Sequence, residues 1–126
     1  MKAIMGTNYR QERMNDAIRD IISELIFRRI KDPRIGFVTI TSVSLASDYM
    51  TAKVYYSVMG SEEEKAATLA GLESAKSFMR RTIGKVLKLR HAPDLRFIYD
   101  DSIDRAMAIE EALKKIHREE EGQEET

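Results

Sequence analysis

Six cations, Lys76, Arg80, Arg81, Lys85, Lys88 and Arg90, fall within the single stretch KSFMRRTIGKVLKLR. Ammonium and guanidinium groups neutralise phosphate through charge-assisted hydrogen bonds, so a run of them without acids is the chemistry of polyanion binding. The chain as a whole is neutral, with 21 basic and 21 acidic residues. Between Lys76 and Arg96, however, the charged groups sum to seven positive and one negative, and from Asp100 onward ten acidic residues face four basic ones. A positive middle and a negative end point to an anionic partner met at one face.

Helical periodicity sharpens this. Stepping around a helix, Arg80, Arg81, Gly84, Lys85 and Lys88 share an arc of about 140°. Met79, Ile83, Val86 and Leu87 take the opposite side. One side can enter a core while the other carries cations. Two readings stand: a solvated helix face, or a phosphate-binding face. Gly84 lies on the basic side and costs about 1 kcal/mol against alanine in a helix. It either lets a phosphate backbone approach closely or packs tightly against a neighbouring element. A second basic cluster, Arg28, Arg29, Lys31 and Arg34, either extends the surface or complements a helix C-terminal dipole.

Other chemistry is thinner. Asp100, Asp101 and Asp104 cluster with His91 nearby, a combination that could hold a metal. The same aspartates have ordinary work as helix caps and first-turn charges, and no catalytic residue, metal site or cofactor is expected. Absence of cysteine excludes disulfides and thiolate chemistry. Tyr9, Tyr49 and Tyr55 could stack on bases, but aromatic residues on strands more often pack across strands.

The elements that must position these residues follow from patterning. Met14, Ala17, Ile18, Ile21, Ile22 and Leu25 predict an amphipathic helix over roughly 8–29, with Asn8 and Gln11 as a capping box and Asp32-Pro33 as its end. GFVTITSVSLA and MTAKVYYSVMG predict a hairpin turning at Ser47-Asp48. In the second strand Ala52, Val54, Tyr56 and Val58 alternate against Lys53, Tyr55 and Ser57. In the first, Thr39 and Thr41 share parity with Val43 and Leu45. Ser61 to Glu64 is a capping box opening a long helical region to about Leu89, with an interruption near residues 74–77. DLRFIYD predicts a third strand. Asp101 then caps a last helix over 102–117, with Ala106, Ile109, Leu113 and Ile116 on one side. The acidic end, lacking apolar anchors, predicts a disordered tail. No apolar run reaches membrane-spanning length, and the N-terminus turns polar too early for a secretory leader. Three strands with helices on one face make an α+β two-layer domain.

Two stretches resemble a known family. KDPRIGFVTITSVSLASDYMTAKVYYSVMG and IGKVLKLRHAPDLRFIYDDSID look like the signature regions of bacterial ribosome-binding factor A. The resemblance spans roughly 8–116, through Asp32-Pro33-Arg34 with Gly36, then Lys88-Leu89-Arg90 with Pro93, Leu95 and Phe97. It implies a single KH-type (type II) domain over 1–118, ordered α-β-β-α-kink-α-β-α, and an acidic tail over 119–126. It also implies a cytoplasmic, monomeric, non-enzymatic factor for small-subunit maturation and rRNA processing, important in the cold. Its partners would be the small ribosomal subunit with its rRNA, and other assembly factors, but no membrane. Most KH domains clamp RNA backbone with a Gly-x-x-Gly loop, which this chain lacks. The family's Ala-x-Gly junction matches Ala75, Lys76 and Ser77, so a kink is expected at Ala75 and Ser77. RNA contact would pass to Lys76, Arg80, Arg81, Lys85, Lys88 and Arg90. The alternative is a protein-binding adaptor that uses the acidic tail and an exposed strand edge.

Overall fold

The computed structural model describes the backbone of residues 2–125 and the side chains of residues 9–122. Its elements run α1 (Lys2–Arg28), β1 (Val38–Leu45), β2 (Thr51–Val58), α2 (Glu62–Val86), β3 (Asp94–Tyr99) and α3 (Ser102–Glu125). The sheet order is β1-β2-β3, with β1 antiparallel and β3 parallel to β2. This is the expected α+β, KH-type arrangement. The parallel pairing requires a crossover, and α2 supplies it.

Ile18, Ile22 and Leu25 of α1 and Leu72, Met79 and Ile83 of α2 meet one face of the sheet. That face presents Ile40, Val43, Leu45, Ala52, Val54, Tyr56, Val58 and Leu95, all buried. The alternation read in β2 therefore holds. The parity conflict in β1 has a physical cause: a β-bulge between Ile40 and Ser42. One extra residue at Thr41 turns Thr39 outward while Ile40 and Val43 both point in. α1 finishes the β1 edge, since Asn15 Oδ1 accepts from Leu45 N at 2.8 Å and Gln11 Nε2 donates to Leu45 O.

Three expectations need correction. The first helix begins at Lys2 and runs through residue 8, so Asn8 and Gln11 form no capping box; the Asn8 side chain lies outside the described residues. α2 is continuous helix from Glu62 to Val86, so the interruption expected near residues 74–77 is absent, and Ala75 and Ser77 lie inside the helix. No glycine or proline lies at residues 74–77 to break the helix, alanine is the best helix former, and Glu73 pairs with Lys76 one turn on at 2.8 Å. α3 continues through 119–125, the stretch expected to be disordered. Its glutamates are good helix formers, and His117 lies 3.2 Å from Glu121 at i,i+4.

The capping box at Ser61 is present in both directions, Glu64 N to Ser61 Oγ at 3.2 Å and Ser61 N to Glu64 Oε1 at 3.1 Å. The loop after α1 lies across α2. Thr68 Oγ1 accepts from Gly36 N at 3.3 Å, and Gly71 faces Ile35 so closely that an added Cβ would sit 2.5 Å from its Cγ1. Gly71→Ala is therefore expected to destabilise by about 1–2 kcal/mol, because overpacking outweighs the helix propensity gained. Urea unfolding checks this; a variant more stable than the parent would contradict it.

Candidate nucleic-acid interface

The inner side of the basic helix behaves as its periodicity requires at Met79 and Ile83, both fully buried, whereas Val86 is 57% exposed. The outer side divides. Arg81, Lys85, Lys88 and Arg90 are exposed, and among the described residues none lies in an ion pair. Arg80 does not belong with them. Its Nε donates to Pro93 O and its Nη2 to Ala92 O, each at 3.1 Å, so it pins the return loop to α2. Lys76 is also occupied, by Glu73 and by the Phe97 ring at 5.8 Å. Gly84 opens toward that loop rather than toward solvent, and an added Cβ would meet Ala92 Cβ at 3.5 Å. Arg80 and Gly84 occupy the edge of the basic arc nearest the core, which explains why the loop covers them.

Lys88 stands past the helix end with φ 54°, a left-handed conformation. Leu89 N donates to Gly84 O at 2.9 Å, and Leu87 is the C-cap, so Lys88 occupies the position usually held by glycine in a Schellman motif. Lys88→Gly should stabilise the fold by about 0.5–1 kcal/mol through relief of this strain. The same change removes a surface cation, so stability and anion affinity should move in opposite directions. A thermal melt beside an RNA titration checks both; a lower melting temperature would contradict the strain argument.

The tertiary fold adds two residues, Arg29 and Phe78, to the row. Arg29 joins Arg81 and Lys85 around an open groove of about 440 Å³ lined also by Leu25, Phe78 and Thr82. Phe78 lies three residues before Arg81 and seven before Lys85, on the same side of the helix, so periodicity alone could have found it. Arg29 could not be found that way, because it arrives from α1. The rest of its cluster is divided. Arg28 pairs with Glu24 at 2.6 Å. Arg34 holds Asp32 at 2.7 Å and Ser74 Oγ at 3.0 Å, and this guanidinium keeps the Asp32 carboxyl below its usual range.

The aspartates near β3 are structural partners. Asp100 accepts from Ser102 N at 3.0 Å and from Thr41 Oγ1 at 2.8 Å, so Asp100, rather than Asp101, takes the amide at the start of α3. Asp101 pairs with Arg105 at 3.1 Å. Asp104 accepts from the Tyr99 hydroxyl at 2.7 Å and lies 3.5 Å from Lys65. No acid or histidine grouping among the described residues could hold a metal ion. The Ser102 hydroxyl, then its amide, then the Thr41 hydroxyl lower the Asp100 carboxyl, and the Tyr99 hydroxyl and Lys65 lower that of Asp104. A depressed folded value contributes stability above the unfolded carboxylate range, which is lost as pH falls through the folded value. Asp100→Asn should therefore make urea stability less dependent on pH across the acid limb. An unchanged acid limb would contradict this.

The ribosome-binding factor A family model matches residues 10–113. The Geotalea uraniireducens ribosome-binding factor A is 49% identical over 107 residues, covering 85% of this chain and 88% of that protein. The Brevibacillus brevis protein of the same name is 48% identical, covering 93% of this chain and 97% of its own length. Among solved structures, a Thermotoga maritima protein studied by solution NMR superposes with a TM-score of 0.68 at 36% identity, covering 75% of this chain and 90% of that one.

Proposed function

Because this chain belongs to the ribosome-binding factor A family, we propose that it is a non-enzymatic assembly factor that binds the small ribosomal subunit through rRNA. A homology model of the Thermus thermophilus ribosome-binding factor A, 23% identical to this chain with a TM-score of 0.56, has been fitted into a map of a complex with the 30S particle. In this chain the RNA-facing set is Arg81, Lys85, Lys88 and Arg90 with Arg29, and Phe78 forms the apolar wall of their groove. Lys76 and Arg80 support that face from within the fold. The observation that carries the reading is the group of exposed cations at the C-terminal end of α2 with no carboxylate partner among the described residues. Phosphate is the anion such a row fits, because each contact releases a condensed counterion. A role in late rRNA maturation, cytoplasmic location and action as a monomer belong to the same proposal.

A second reading, a protein-binding adaptor, is supported by α3, where Ile109, Leu113 and Ile116 are all more than half exposed. Binding to purified small subunits as a function of salt tests the main reading. With about four phosphates contacted, the log–log slope should be near −3. A flat dependence would overturn it, and partners retained after RNase treatment would favour the adaptor.

A further inference from the structure

The side of the sheet away from α1 and α2 is open: Thr39, Ser42, Ser44, Lys53 and Arg96 are all exposed. Across it the register sets Lys53 opposite Arg96, and Ser42, Tyr55 and Ile98 in the adjoining row. Neighbouring strands lie about 4.8 Å apart, and like charges placed opposite one another destabilise a sheet. Asp94 shares this face by alternation, yet among the described residues neither Lys53 nor Arg96 has a carboxylate within ion-pair distance. The fold therefore maintains two unneutralised cations side by side. Tyr55 is two residues along the strand from Lys53, about 6.6 Å away, and partly exposed, whereas its neighbour Tyr56 is buried in the core.

We propose that this open face is a second nucleic-acid site, taking a single-stranded RNA segment with a base stacked on Tyr55 and the adjoining phosphate between Lys53 and Arg96. The pairing of an aromatic platform with cations one step away is the chemistry of sequence-tolerant single-strand binding. A duplex keeps its bases stacked on one another and has none free for Tyr55. The face lies across the sheet from the groove of Arg29, Arg81 and Lys85, so the chain can hold a structured segment on one side and an unpaired strand on the other. The inference rests on the proposed function in taking RNA as the ligand, but not on the residues of that groove.

The test is fluorescence anisotropy with labelled oligouridylate and, separately, with a structured rRNA fragment. Tyr55→Ala should weaken oligouridylate binding about tenfold, the effect of losing one stacked base, while Tyr55→Phe stays within about twofold and structured-fragment binding is unchanged. Arg81→Gln with Lys85→Gln should do the reverse, weakening the structured fragment most. Lys53→Gln with Arg96→Gln, which removes no aromatic packing, should reduce the oligouridylate salt slope by about 0.7, the share of the one phosphate they hold; this carries the test if Tyr55→Ala fails to fold. The proposal is overturned if Tyr55→Ala binds oligouridylate like the parent, if Tyr55→Phe is as weak as Tyr55→Ala, or if the double glutamine variant keeps the full slope. A parent that binds the structured fragment but not oligouridylate overturns this site and leaves the proposed function standing. A parent that binds neither RNA overturns both.

Discussion

Replacing Arg29, Arg81 and Lys85 together by glutamine is expected to lower affinity for small ribosomal subunits by about two orders of magnitude near 0.15 M salt. The estimate follows from counterion release. Each lost phosphate contact removes about 0.7–0.9 from the salt slope, and three contacts extended from 1 M reference salt give a factor of about 10². The cost to the fold should be small, within about 0.5 kcal/mol, because all three side chains are exposed and none is in an ion pair among the described residues. Arg80→Gln offers the contrast. It breaks two bonds to the carbonyls of Ala92 and Pro93, so it should lower stability and change affinity less than the triple variant does. Co-sedimentation with subunits and urea unfolding, run on the same proteins, separate the two effects. A triple variant that co-sediments like the parent would remove the groove from the account.

Ile83→Ala is expected to destabilise the domain by about 3 kcal/mol. Ile83 is fully buried at the centre of the core, one residue before Gly84 and two before Lys85. Its loss removes transfer energy and leaves a cavity between α2 and the sheet. For a domain of this size the melting temperature should fall by about 10 °C or more. Val86→Ala, three residues on, should cost about 0.5 kcal/mol or less, because Val86 is 57% exposed. The pair tests which side of α2 faces inward. Equal losses at both positions would contradict the placement.

The parts of this architecture legible in the sequence are those set by local repetition. β2 alternates without interruption, and Ala52, Val54, Tyr56 and Val58 all reach the core as their spacing requires. Ser61 and Glu64 announced the start of α2, because a capping box needs only the residues themselves. β1 was legible as a strand but not in its facing: the bulge at Thr41 inserts one residue, and period-two reading cannot place an insertion it does not know of. The junction that the resemblance implies at Ala75 and Ser77 does not divide α2 into two helices, since both residues lie within an unbroken one. At the candidate site the helical wheel separated greasy from charged sides but could not tell a free cation from a pinned one. Arg80 and Lys85 look alike in sequence. Only the returning loop, whose carbonyls approach Arg80 from 12 and 13 residues away, distinguishes them. Arg29 was recognised as basic, yet its place beside Arg81 depends on how α1 crosses the end of α2.

The central claim is that the exposed end of α2 lies against ribonucleic acid when the protein is bound. Site-specific photocrosslinking from position 85 on immature small subunits tests it most directly. The account predicts covalent adducts to rRNA that disappear when salt releases the protein. Adducts to ribosomal proteins alone, from a protein that still co-sediments with the subunit, would contradict it.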